Sequence, residues 1–230
     1  MRRPRGILAS AALLAALGLG GCSEAAKPGA DSNAAKPSGA ATPAVAKAGP
    51  TLPPNPTDAD YDHLRQAYSA RPDFLVICER DRPLKVVGNA MEAAKWDEVL
   101  TLSEPWVARC PVDVDAHVAR TVAFEKLGRT ADSAAEREIA IGLVKSVMRT
   151  GDGKSPETAF VVISVSEEFS TLGALGLRPT KQRADANDIH VITVEKDGQT
   201  GDIYFNAAID NQRLKQAGQL GVEKGPTPSH

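Results

Sequence analysis

Thr150-Gly151-Asp152-Gly153-Lys154-Ser155 is the stretch that decides the fold, because the pattern of the chain changes there. Before it, apolar residues recur at helical spacing, and after it come short apolar runs rich in β-branched residues. The two glycines break the helical pattern and tolerate positive φ values. The sequence therefore predicts an α+β fold, with a helical region over residues 58–150 and a C-terminal α+β subdomain over residues 151–222.

The helical region is predicted to contain two helical hairpins that follow a first helix at Asp58–Ala70. Ala94–Val99 corresponds to Gly128–Ser133 at an offset of 34 residues, which is the period of the tetratricopeptide repeat. The predicted hairpin helices are Pro83–Ala93, Trp96–Arg109, Val114–Leu127 and Ala131–Met148. Pro105 is expected to interrupt the second of these, and Phe74–Cys78 is predicted to be helical. The region resembles a degenerate tetratricopeptide pair, whose exposed apolar faces need caps.

The C-terminal subdomain is predicted to be a small antiparallel sheet of at least three strands with one or two helices. Lys196-Asp197-Gly198-Gln199 is a strong signal for a hairpin between two apolar runs. The predicted strands are Ala159–Val165, His190–Val194 and Asp202–Asn206, with Arg178–Asn187 as an irregular edge strand or a loop. Helices are expected over residues 166–173 and at Ile209–Gly218, and residues 223–230 are expected to fray.

One block of this subdomain resembles an uncharacterised family of bacterial envelope proteins, a domain of unknown function. The matching residues are Gly151, Gly153, Ser155, Thr158, Ala159, Phe160, Val162, Ile163, Ser164, Glu167, Glu168, Phe169 and Leu172, followed by Tyr204-Phe205-Asn206. The resemblance spans about a third of the chain that follows Gly21. It implies a secreted or lipid-anchored location, and it brings no catalytic or cofactor residue with it.

The N-terminus predicts a lipoprotein of the bacterial envelope. Residues 1–21 consist of a basic segment, an apolar segment too short to span a bilayer, and Leu19-Gly20-Gly21 directly before Cys22. Cys22 is therefore expected to carry fatty acids such as palmitate and to act as the membrane anchor. Ser23, in the place where Asp would favour the inner membrane, favours the outer membrane facing the periplasm. The alternatives are an ordinary cleaved signal peptide or a short membrane anchor.

The composition of the chain predicts a tether and a disulfide, and it argues against nucleic acid as a partner. Residues 23–57 are rich in Ala, Pro, Gly, Lys and Ser, so 22–57 is expected to be a lipidated, disordered tether. Removal of the three signal-peptide arginines leaves 24 basic against 29 acidic side chains, a balance that argues against nucleic acid. Because the periplasm is oxidising, Cys78 and Cys110 are predicted to form a disulfide, the alternative being two buried thiols.

No catalytic residue, cofactor, nucleotide or metal site is predicted. The four histidines lack the spacing of a helical metal site, and the glycine-rich stretch lacks the spacing of a phosphate loop. Two weak arrangements remain: a nucleophilic Ser164 or Ser166 with His190 and Asp188, and carboxylate pairs among Glu167, Glu168, Asp185 and Asp188. A capped helix start explains Glu167 and Glu168 more simply.

Two aromatic residues are candidates for contact with a partner. Trp106 follows the expected break at Pro105, so its ring could be either exposed or part of the core, and Phe124 occupies an aromatic position of the second hairpin. We therefore expect a lipid-anchored binding or scaffold module that is not an enzyme and whose partner is another envelope protein. The alternative is a hydrolase that acts on envelope polymers through the C-terminal subdomain.

Overall fold

A computed structural model describes residues 49–185 and 187–219. These residues contain seven α-helices and a four-stranded sheet, so the predicted α+β fold is confirmed. The predicted signal peptide, Cys22, most of the tether and the tail at 223–230 lie outside the described residues. Within the described part of the chain, every helix is too short or too polar to cross a membrane.

The helices occupy most of the positions that the sequence predicts. They are α1 (Asp58–Ser69), α2 (Leu84–Glu92), α3 (Trp96–Arg109), α4 (Val114–Lys126), α5 (Thr130–Met148), α6 (Val165–Ala174) and α7 (Ala208–Gln219). A π-helical turn covers Leu75–Arg80, where a short helix is predicted. The starts of α1, α4 and α6 are stabilised by polar side chains at Thr57, Asp113 and Ser164.

The prediction that Pro105 interrupts the second hairpin helix is wrong, because α3 continues through it. Proline removes one hydrogen bond, to the carbonyl four residues earlier, which here belongs to Thr101. Pro105 and Thr101 are both exposed, so water can bond to that carbonyl. The unbroken helix fixes the direction of the following residue, Trp106.

The strands form one mixed sheet in the order β1-β4-β3-β2. The strands are β1 (Phe160–Val161), β2 (Arg178–Ala184), β3 (Ile189–Lys196) and β4 (Gln199–Asn206), with a short 3-10 turn at Pro156–Thr158. The predicted hairpin joins β3 to β4, with Asp197 and Gly198 both at positive φ. β2 is an edge strand with an irregularity between Pro179 and Lys181.

Two predictions about this sheet are wrong. It is not wholly antiparallel, because β1 pairs in parallel with β4, Phe160 opposite Phe205. The strand predicted over Ala159–Val165 is only two residues long. The chain leaves the sheet early because Ser164 accepts a hydrogen bond from the backbone of Glu167 and so starts α6 at Val165, one residue before the predicted position.

The apolar core has three main parts. One lies under α2, α3 and α4, and a second lies between the sheet, α6 and the end of α5. The third joins α1, the π-helical turn, α4 and α5, and it includes Ile163 from the C-terminal subdomain. Leu52, within the predicted tether, packs against this third part. The helical region and the C-terminal subdomain therefore share a core.

Candidate functional site

The two aromatic candidates for partner contact are both buried, so neither ring forms part of the protein surface. Trp106 is 1% exposed and Phe124 is 5% exposed. The Trp106 indole N–H donates to Asp113 at 2.9 Å, and the Arg82 guanidinium lies over its ring. Trp106 is buried because α3 does not break at Pro105, which turns the indole toward α2 and α4. The core alternative for Trp106 is the correct one.

The two cysteines lie where a disulfide was predicted. Their sulfur atoms are 2.05 Å apart, at bonding distance, and both residues are buried. The bond joins the π-helical turn, through Cys78, to the residue that follows α3, Cys110. Beside it is a small cavity of about 10 Å³ lined by Asp113, Ser164 and Glu167 among others, which leaves space for about one water molecule.

The residues considered for catalysis do not form a single group. Glu167 accepts two hydrogen bonds of 2.8 Å from the Arg65 guanidinium and one of 2.9 Å from the backbone of Ile163. Ser164 and Ser166 contact each other at 2.9 Å. These contacts hold α6 against α1 and position the start of the helix.

Asp188 and Asp185 also have structural contacts. Asp188 accepts from the Asn211 amide at 2.9 Å, which links it to α7. Asp185 accepts from the backbone of Asn187 and Ile189 and closes the turn before β3. Neither carboxylate is hydrogen bonded to His190, so the imagined serine, histidine and aspartate arrangement is not present among the described residues.

Glu168 and His190 are the one carboxylate and imidazole pair that the structure brings together from this set. The Glu168 Oε1 and His190 Nδ1 atoms are 2.6 Å apart, and the Gln182 amide donates to Glu168. Burial raises the pKa of Glu168, which is fully buried. The hydrogen bond with Glu168 raises the pKa of His190. The pair links α6 to β3.

The glycine-rich stretch is a structural turn. Gly153 has a φ of +68°, and a side chain at Gly151 would meet the Thr158 carbonyl oxygen at 2.3 Å. Asp152 accepts from the Lys154 backbone and from the Thr158 hydroxyl. The first residues of the matching block therefore close this turn next to β1, which agrees with the absence of phosphate-loop spacing in the sequence.

A cluster of buried charges lies between the helical region and the C-terminal subdomain, and it contains none of the predicted site residues. We call it the junction cluster, and its members are Glu79, Arg82, Asp113, Asp210 and Arg213. Arg82 bonds to Asp113 at 2.8 Å and also contacts Asp115. Arg213 bonds to Asp210, to the carbonyls of Ile163 and Ser69, and stacks on Phe74.

Glu79 differs from the other members of the junction cluster. Its Oε1 atom and the Thr171 hydroxyl are the two buried side-chain oxygens for which no hydrogen-bond partner is found in the described part of the chain. Burial, assisted by the nearby Asp210 and Asp113, raises the pKa of Glu79 to about 8, although Arg82 and Arg213 act in the opposite direction. Burial also raises the pKa of Asp210. Glu79 therefore holds its proton more strongly than an exposed glutamate does.

The remaining candidates have ordinary surroundings. His117 is buried between Glu136 and the Pro111 carbonyl. No group of three or more metal-binding side chains occurs within residues 49–185 and 187–219. An open groove of about 480 Å³ lies between the segment 54–58 and α5, with Tyr61 and Gly142 among its lining residues.

Sequence reasoning missed the buried arginines, although one signal was available. Arg65 falls on the same helical stripe as Tyr61, Leu64 and Tyr68, and all four are buried in α1. An arginine on an apolar stripe needs a buried acceptor. The identity of that acceptor, Glu167, depends on a contact between residues 102 positions apart, which no local pattern indicates.

The structure is a mixed α+β domain in which a buried ion pair between Arg65 of α1 and Glu167 of α6 joins the helical region to the C-terminal subdomain. Residues 54–215 match the family described as domain of unknown function (DUF4919), and the chain belongs to that family. The expected resemblance to a domain of unknown function is thus confirmed, and it covers the helical region as well as the C-terminal block. Comparison with curated proteins finds no match, and comparison with solved structures finds none either.

Proposed function

We propose that this protein is a lipid-anchored module of the bacterial cell envelope that binds another envelope protein and catalyses no reaction. The observation that carries this proposal is Leu19-Gly20-Gly21-Cys22 after a basic and then apolar N-terminus. The cysteine pair at disulfide distance supports the same location, because disulfides persist in oxidising compartments. Ser23 supports the outer membrane, facing the periplasm.

The contacts of the acidic residues support binding over hydrolysis. Glu167 forms an ion pair with Arg65, and both side chains are less than a tenth exposed. Glu168 is fully buried against His190. In the described structure neither Ser164 nor Ser166 contacts that pair, so the pair lacks an adjacent nucleophile.

The helical region supplies the proposed binding surface. Its consecutive helices α2 to α5 contact one another, and helical hairpins of the predicted tetratricopeptide-like kind present a surface for peptide segments of other proteins. Three of its apolar side chains are more than two-fifths exposed: Val86 on α2, Val118 on α4 and Ile141 on α5. These three replace the buried Trp106 and Phe124 as the residues that we propose contact the partner.

The anchor is tested by metabolic labelling of cells with an alkyne analogue of palmitate. The full-length protein should become labelled and sediment with membranes, whereas Cys22→Ser should be unlabelled and stay in the supernatant. A Cys78→Ala and Cys110→Ala double variant is the matched control and should still be labelled at Cys22. A wild-type protein that remains unlabelled would overturn the lipid anchor.

The binding role is tested by placing a photo-crosslinking residue at Val86, Val118 or Ile141 of the full chain in cells. We expect these positions to capture the same envelope protein, and capture should weaken when unmodified protein is overproduced. Crosslinkers at the exposed Thr200 and Lys154 are the controls. Equal capture at the control positions, or no defined product at any helical position, would contradict the proposed surface.

A further inference from the structure

The π-helical turn holds Glu79 at the contact between the helical region and α7. Its preceding residue, Cys78, is at bonding distance from Cys110, so the turn is attached to the end of α3. Asp210 and Arg213 of α7 act electrostatically on the carboxyl group, and Arg213 stacks on Phe74, the residue directly before the turn. π-Helical turns are rare and occur often at functional sites. A buried carboxyl oxygen without a partner, on such a turn, calls for a functional explanation.

We propose that Glu79 is a proton-dependent latch, which keeps α7 docked while its carboxyl group is protonated and releases α7 when that group ionises. This inference does not depend on the proposed envelope function. It concerns only the docking of α7 on the helical region.

The charges around Glu79 explain why ionisation would be costly in the docked state. Two acids and two bases face the carboxyl group: Asp210 and Arg213 from α7, Asp113 from the start of α4, and Arg82 from the segment before α2. Both arginines already have carboxylate partners, Arg82 in Asp113 and Arg213 in Asp210. An ionised Glu79 would therefore add a further negative charge beside two arginines whose charge is already balanced by other carboxylates.

The surroundings of α7 explain why this helix is the element that moves. The π-helical turn is attached by the disulfide, whereas the α7 residues Gln212, Leu214, Lys215 and Gln216 are exposed. The contacts that hold α7 are concentrated in Arg213, Asn211 and the partly buried Ile209. An element with few buried contacts opens at a low free energy. Its departure would expose Glu79 to water.

Linkage gives the expected dependence on pH. The docked state has a pKa of about 8 for Glu79, and the hydrated carboxyl has its ordinary value of 4.5. Below about pH 4.5 both states are protonated, so opening of α7 does not depend on pH. Between the two values opening releases a proton, and the opening constant should rise about tenfold per pH unit. Above about pH 8 it should level off.

The test is amide hydrogen exchange of the full chain at about pH 5.5, 6.5 and 7.5, with each rate corrected for the chemical exchange rate. In the wild type, the α7 amides should lose protection about tenfold per pH unit. The α4 amides should keep their protection. Glu79→Gln, which cannot ionise, should protect α7 equally at all three values. The control Glu104→Gln removes an exposed carboxylate on α3 and should behave as the wild type does.

Three results would overturn the latch. Protection of α7 in the wild type could be independent of pH, Glu79→Gln could keep the wild-type slope, or α4 could lose protection in parallel with α7, which would indicate global unfolding. If Glu79→Gln does not fold, the comparison of α7 with α4 in the wild type still decides between local and global opening. A His190→Gln variant should retain the slope, and its loss would assign the effect to His190.

Discussion

The helical region contacts the C-terminal subdomain through α6 and through α7, and we call these two contacts the α6 seam and the α7 seam. Their buried charges differ in whether each one has a hydrogen-bond partner. In the α6 seam, Arg65 bonds to both oxygens of Glu167, to the Ser146 hydroxyl and to the Val161 carbonyl. In the α7 seam, Arg213 donates hydrogen bonds to Asp210 and to the carbonyls of Ile163 and Ser69. The nearby Glu79, however, has a carboxyl oxygen without a partner among the described residues. A buried ion pair whose atoms are all hydrogen bonded holds two elements together at every pH near neutrality. A buried carboxyl group that lacks a partner holds them together only while it is protonated.

The largest expected effect comes from breaking the α6 seam. Arg65→Met leaves Glu167 buried without its cation, so the free energy of unfolding should fall by about 3–5 kcal/mol. Urea unfolding at pH 7 measures this change. The double variant Arg65→Met with Glu167→Leu replaces both charges by apolar groups and should recover most of the loss. A double variant no more stable than Arg65→Met would show that the charges themselves are needed.

Reduction of the disulfide should act mainly on the α7 seam, because Cys78 belongs to the turn that carries Glu79. Cys78 and Cys110 are 32 positions apart in sequence, and a closed loop of that size stabilises a fold by about 3–4 kcal/mol in the chain-entropy view. Urea unfolding with and without reductant measures the loss. Hydrogen exchange should show that α7 loses more protection than α6. An equal loss in both helices would show that the disulfide does not act specifically on the α7 seam.

The stability effect of Glu79→Gln should depend on pH. Because the pKa of Glu79 is raised when folded, its contribution to stability is fully present below about pH 4.5 and is lost as the pH rises toward 8. The free energy of unfolding of the variant should therefore rise relative to that of the wild type by up to about 1.4 kcal/mol per pH unit across that window. Urea midpoints at pH 5 and pH 7.5 test this. A constant difference between the two proteins would show that Glu79 does not titrate there.

The smallest effect should come from an ion pair outside both seams. Arg149 bonds to Asp62 of α1, and both side chains are about a third or more exposed. Solvent screens such pairs, so Arg149→Met should change the free energy of unfolding by less than about 1 kcal/mol. High salt should reduce the difference further. A loss as large as that of Arg65→Met would mean that burial does not distinguish the seams from the surface.

The parts of the fold that local patterns encode could be predicted from the sequence. The bounds of α3 and the Asp197-Gly198 turn follow from helical spacing and turn chemistry, and the structure confirms both. The parallel pairing of β1 with β4 could not be predicted, because it joins residues 45 positions apart, Phe160 and Phe205. The contact between Arg65 and Glu167 could not be predicted either, because these residues are also far apart in sequence.

The candidate site shows the same division. Glu167 and Glu168 are adjacent in sequence and are predicted to belong to the start of a helix, and both lie in the first turn of α6. Their side chains also face different partners, Arg65 of α1 and His190 of β3, which the sequence does not predict. Glu79 has no sequence signature, because its raised pKa comes from burial in the folded chain and from the charge of Asp210, which lies more than a hundred residues further along the sequence.

Among the described residues, β2 lies at the edge of the sheet and carries features that disfavour pairing with a strand of another molecule. Pro179 has no backbone N–H to offer a neighbouring strand, the irregularity after it disturbs the regular spacing of backbone groups, and Lys181 places a charge in the middle of the edge. A regular, uncharged edge would let the sheets of neighbouring molecules join into a continuous ribbon, and these three features weaken that tendency.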